Sequence, residues 1–127
     1  GVDIVLTSKG PMVMEVNPRL TTSYVGLRKV VNFNPAEAIM DAVLEKRLPR
    51  GVYTSGYASF SKVTVPTPTL KAASRTYGLT FVLSPPMPVA ESTASALLIY
   101  HSAKLKGAKM GLLQAKKSLL KVLSSGD

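Results

Sequence analysis

The sequence contains no cysteine, which excludes disulfides, thiolate metal sites and cysteine nucleophiles and suits a cytoplasmic setting. It has one histidine, His101, so any Ser-His-Asp arrangement would have to be built on that residue. No apolar run approaches the ~20 residues of a membrane-spanning helix. The longest, Ala96 to Tyr100, is the length of a strand. The first residues lack the basic-then-apolar pattern of a secretory leader. Acid is scarce: 7 Asp and Glu stand against 16 Lys and Arg, giving +9 and a pI near 10.0. No acid lies between Glu91 and Asp127, an interval that holds Lys104, Lys106, Lys109, Lys116, Lys117 and Lys121. Internal repeats and low-complexity tracts are also absent.

What is present suits one globular domain, 1–127. The chain is 46% hydrophobic and 18% charged, within the range of packed domains. A domain of this size buries roughly two-thirds of the surface of its unfolded chain. Val2 to Thr7 and Met12 to Val16 are β-rich and flank Ser8-Lys9-Gly10-Pro11, so they read as a hairpin. Its embedded acids are Asp3 and Glu15. A helix is expected from about Tyr24 to Val31, capped by Thr22 or Ser23. Asn34-Pro35-Ala36-Glu37 starts another, with Asn at the cap, Pro at the first position and Glu at the third. Ala36, Ile39, Met40, Val43 and Leu44 would form its apolar face. Leu48-Pro49-Arg50-Gly51 ends it.

Residues 51–69 read as one or two strands, and Leu79 to Leu83 as another. Ser84-Pro85-Pro86-Met87-Pro88 reads as a rigid loop and a candidate internal boundary. Ser95 to His101 reads as a buried strand. Ala108 to Leu123 reads as an amphipathic helix with the stripe Ala108, Leu112, Ala115, Leu119 and Val122. The motif-bearing hairpin and helices thus occupy 1–48, and the strands and closing helix 49–127. The expected fold is α+β, a mainly antiparallel sheet covered by two or three helices.

The strongest chemical constellation is Asp3, Glu15, Asn17 and Arg19. Residues two apart on a strand share a face, so Glu15 and Asn17 project together, and the hairpin brings Asp3 beside them. Two carboxylates and an amide oxygen are hard ligands suited to Mg²⁺, which keeps waters and shares its shell with phosphates. Arg19 offers a planar fork for phosphate or carboxylate. The same spacing equally serves a solvated sheet face, with a Glu15–Arg19 ion pair and a turn at Asn17-Pro18.

Glu15-Val16-Asn17-Pro18-Arg19 resembles the E-x-N-P-R form of the E-x-N-x-R motif of the ATP-grasp superfamily, and Asp3 occupies the place of that family's acid a dozen residues upstream. Leu20-Thr21-Thr22-Ser23-Tyr24-Val25-Gly26-Leu27-Arg28 is similar to a stretch in archaeal-type ATP-grasp proteins of methanofuran and tetrahydromethanopterin metabolism, such as tyramine–glutamate ligase. The likeness covers about Val2 to Leu48. It implies part of an ATP-grasp C-terminal lobe, and an ATP-dependent carboxylate–amine ligase acting through an acylphosphate in one-carbon cofactor synthesis. ATP would be a substrate and Mg²⁺ (or Mn²⁺) the cofactor. The match implies metal ligation by Asp3, Glu15 and Asn17. Arg19 would be the catalytic residue, stabilising phosphate in transfer or binding the acid. Thr21, Thr22 and Ser23 would contact substrate, helix capping being their competing role. The family's adenine pocket, Gly-rich loop and ATP-binding lysines precede the motif. This chain is therefore expected to be a C-terminal piece, inactive alone, whose exposed edges favour a homo-oligomer.

Other signals are weaker. Gly51 to Gly56 lacks the Gly-Lys-Ser/Thr ending of a phosphate loop and reads as strand and turn. Met12, Met14, Met40, Met87 and Met110 are expected as core filler. The lysine-rich end offers the rival reading, a small basic nucleic-acid-binding module. Against it, no aromatic lies between Lys104 and Lys121 and no arginine follows Arg75, so base stacking and base-edge readout lack their usual residues. A degenerate ATP-grasp domain kept for assembly is the third reading.

Overall fold

A computed structural model describes residues 1–17 and 19–125. The described elements run β1 (Val2–Thr7), β2 (Gly10–Val16), α1 (Ser23–Val30), α2 (Pro35–Leu44), β3 (Tyr57–Pro66), α3 (Leu70–Ser74), β4 (Val82–Ala90), β5 (Thr93–Ser102) and α4 (Leu105–Ser124). They form an α+β fold with two antiparallel sheets, the hairpin β1-β2 and a three-stranded sheet in the order β3-β5-β4. No described helix is long and apolar enough to cross a membrane.

The core lies between the three-stranded sheet and α4. Central strand β5 places Ala94, Ala96 and Leu98 on one face, where they meet Val65 and the helix residues Ala115 and Leu119. Its pairing with β3 sets Val63 opposite Ala96 and Val65 opposite Ala94, so both valines join that face. Burying each leucine contributes about 1.5–3 kcal/mol. Small residues let α4 lie close: a Cβ at Gly111 would overlap the Tyr100 ring, and one at Gly107 would overlap the Ser102 side chain. Helix α1 packs on β3 by the same device, since a Cβ at Gly26 would come within 3.0 Å of the Phe60 ring.

Helix α2 starts as its sequence dictates. Asn34 accepts a hydrogen bond from the Ala36 N–H at 3.2 Å and Pro35 takes the first position. The loop after it is tied back by Asn32, whose side chain donates to Gly51 O at 2.9 Å and accepts from Tyr53 N at 3.0 Å. An isolated bridge joins Val31 and Thr54, so the Gly51–Gly56 stretch is a pinned loop, where a strand and turn were expected. His101, exposed at the end of β5, places its Nε2 3.1 Å from Ser55 O.

Several sequence expectations need correction. Ser84 to Pro88 lies within β4. Three prolines are tolerated there because β4 is an edge strand whose ladder with β5 is irregular at these positions. Residues before Val82 form turns, with Leu79 N–H donating to Thr76 O and Val82 N–H to Leu79 O. Short helix α3, capped by Thr69 on Ala72 N, was not anticipated. The expected apolar face of α2 is open: Ile39, Met40, Val43 and Leu44 are all exposed. All five methionines are exposed too, so they do not fill the core.

Candidate functional site

The hairpin is built around a two-residue turn, Ser8-Lys9. Gly10 follows with φ +110°, a region that side chains resist. From the turn the ladder pairs Thr7 with Gly10, Leu6 with Pro11, Val5 with Met12 and Ile4 with Val13. The register then shifts, and Asp3 faces Glu15 while Val2 faces Val16. Met14 is the extra residue of this β-bulge. In an unbulged ladder continued from the turn, Asp3 would face Met14, and Glu15 would face Val2. The bulge therefore brings the two carboxylates together, a use of bulges common beside active sites.

Asn17 joins them on the same face. Its N–H donates to Gly1 O at 2.7 Å, the Gly1 ammonium donates to Asn17 O at 2.7 Å, and its side-chain amide reaches Asp3 Oδ2 at 3.3 Å. Asp3 and Glu15 are exposed and Asn17 is half-buried. Opposed like charges destabilise a hairpin unless a cation lies between them. No described cluster of three or more His, Cys, Asp and Glu residues is present. The donor set is two carboxylates and one amide. Those hard oxygens fit Mg²⁺ or Mn²⁺, which would take its remaining ligands from water and phosphate.

The competing Glu15–Arg19 ion pair does not form. Among the described residues Arg19 has no carboxylate partner, while Arg47 is paired with Asp41 at 2.7 Å. The Asp41 hydrogen bond, with its charge second, raises Arg47 above the ordinary arginine range. Pro18, part of the expected turn, lies outside the described residues.

Thr21, Thr22 and Ser23 open α1. Thr22 stands at the N-cap but its side chain makes no capping bond. The Thr21 and Ser23 hydroxyls bond each other, and the first turn carries no acid. Their hydroxyls are therefore not spent on the backbone, while the Tyr24 and Val25 N–H groups donate to Thr21 O at 2.9 Å and Thr22 O at 3.2 Å.

Beside this corner runs a groove of about 390 Å³ between α1 and α2. Arg19, Thr21 and Ser23 stand in its polar part, and Tyr24, Leu27, Phe33, Ile39 and Leu48 in its apolar part. Sequence reasoning missed it. Ile39 of α2 was the available signal, and it read as core.

Comparison with known families gives one finding. The family model of the ATP-grasp domain matches residues 1–23. The matched segment holds the bulged hairpin, Asn17, Arg19 and the start of α1, and it supports an ATP-grasp relationship for that part of the chain. No curated protein and no solved structure matches the chain.

Proposed function

We propose that this chain carries the metal-binding and phosphoryl end of an ATP-grasp ligase site, within a longer enzyme that joins a carboxylate to an amine through an acylphosphate. The observation that carries the reading is the Met14 bulge. It sets Asp3 opposite Glu15, with Asn17 on the same face, inside the segment that matches the ATP-grasp domain. Asp3, Glu15 and Asn17 would hold Mg²⁺, which when bound neutralises phosphoryl oxygens. Arg19, with no carboxylate partner among the described residues, stabilises negative charge on the transferring phosphoryl group or orients the acid. The Thr21, Thr22 and Ser23 hydroxyls, none of them capping α1, hold substrate oxygens. The reading extends to one-carbon cofactor synthesis on the resemblance of Leu20 to Arg28 to archaeal-type ligases, and upstream ATP-grasp segments would supply the nucleotide pocket.

The test is Mg²⁺-dependent release of ADP and phosphate, in step with amide formation, by a chain extended through the upstream ATP-grasp lobe. Asn17→Ala and Arg19→Ala should each lower kcat by about 10²-fold or more, the scale of losing one charge-stabilising group. The 127 residues alone should show no turnover. Turnover by them, or full activity of both variants in the longer enzyme, would refute the assignment.

A further inference from the structure

We infer that the groove between α1 and α2 is the pocket for the acid substrate, and that this substrate is a carboxylate with an apolar body of about one aromatic or branched aliphatic group. The inference rests on the ligase reading above and adds to it the chemistry of the acid.

Charge decides between acid and amine. Of the residues lining the groove, Arg19 carries the side-chain charge, and no Asp or Glu is among them. An ammonium ligand would meet no counter-charge there. A carboxylate would meet a guanidinium that no carboxylate of the described residues engages, with the Thr21 and Ser23 hydroxyls beside it. The Gly1 ammonium also borders the groove, but it is bonded to Asn17 O at 2.7 Å.

Shape and polarity decide the rest of the molecule. Beyond Arg19 the lining turns apolar, with Tyr24 and Phe33 half-buried and Leu20, Leu27, Ile39 and Leu48 more open. A polar diacid or an amino acid with a charged side chain would leave its far end unpaired against hydrocarbon, which costs binding. An aromatic or branched body removes those side chains from water. A volume of about 390 Å³ lies at the small end of ligand pockets. The groove also gives the exposed Ile39 of α2 a role, since it lines the apolar part where core packing was expected.

The experiment titrates the isotope-labelled 127-residue chain with 3-phenylpropionate, 2-phenylethylamine and glutarate, following amide and methyl NMR signals. 3-Phenylpropionate should shift Leu27, Phe33, Ala38 and Ala42. Arg19→Gln should weaken it about tenfold through the carboxylate. Ala42→Trp should abolish the groove shifts by filling the space, and Ile39→Asp provides a second blocking variant should that one misfold. The amine and the diacid should bind at least tenfold more weakly. The inference falls if the amine binds as well as the acid, if Arg19→Gln changes nothing, if glutarate shifts the same residues equally, or if tens of millimolar acid leaves the groove silent. Mn²⁺ broadening of Asp3, Glu15 and Asn17 is read in parallel. Broadening there with a silent groove sinks this inference and leaves the metal corner standing. Acid binding without broadening removes the ligase reading, and the substrate assignment falls with it.

Discussion

Replacing Glu15 by Gln should reverse the effect of divalent cation on the hairpin. Asp3 and Glu15 are directly opposed, a geometry with Cβ atoms about 4.5–5.5 Å apart. Two unit charges about 5 Å apart in bulk water repel by ~0.8 kcal/mol, less in salt. Gln keeps the shape and removes one charge. Without divalent ions the variant hairpin should therefore be as stable as the original or a few tenths of a kcal/mol more stable. With Mg²⁺ or Mn²⁺ the order inverts. An ion at ten times its Kd stabilises the state it binds by about 1.4 kcal/mol, and the variant loses most of that gain with half of the anionic charge.

The assay has to be local. The hairpin packs against no other described element to any extent, so melting of the α4–β5 core would not report it. Hydrogen exchange at the Asn17 N–H, which closes the open end of the hairpin, and Mn²⁺ broadening of residues 3, 15 and 17 are the suitable readouts. NaCl at matched ionic strength separates ligation from screening. Equal broadening in Glu15→Gln, or broadening centred on the acids of α2 (Glu37, Asp41), would refute the reasoning.

Two further predictions concern packing and association. Gly111→Ala gains helix propensity of ~1 kcal/mol but drives a methyl into the Tyr100 ring, and overpacking typically costs about 1–3 kcal/mol. Urea melts should show net destabilisation, while Gly78→Ala, with nothing near its would-be Cβ, should be neutral to slightly stabilising; equal midpoints would refute the close approach of α4. The chain should also self-associate through the exposed apolar face of the hairpin. Sedimentation velocity should show Val13→Asp shifted toward monomer, and a strictly monomeric parent at several hundred micromolar would count against the idea.

What was legible in the sequence depended on local signals. The hairpin turn within Ser8 to Pro11, whose last two residues join β2, the Asn34-Pro35 start of α2, the β-rich run in β5 and the spacing of Ala108, Ala115 and Leu119 each state their structure within a few residues. The convergence of Asp3 and Glu15 was legible only as a hairpin contact. Its cause was not, because Met14 looks like any strand residue and the bulge emerges only when both ends of the ladder are paired. The prolines of β4 misled for the complementary reason: they exclude a central strand, and nothing in Ser84 to Pro88 says that the strand lies at an edge. Amphipathic spacing in α2 and the five methionines said what burial would favour. It did not say whether a partner surface exists among these residues.

The bulge has a second consequence, on the opposite face of the hairpin. Pairing places Val2, Ile4, Leu6, Pro11, Val13 and Val16 on one side of the two strands, and Gly1, Asp3, Glu15 and Asn17 on the other. The five large aliphatic residues of the first side are all more than half exposed. A two-stranded sheet is marginal in water, and such a face favours a cover, whether an upstream segment or a second copy. Had the ladder run on from the turn in one register, with Met14 paired, Glu15 would have faced Val2. That register would place a carboxylate amid the apolar side and leave Asp3 facing a methionine. The one-residue shift in register thus keeps one side free of charge for packing and gathers both acids on the other. Whatever covers the aliphatic side can do so without touching the oxygens proposed to hold the metal.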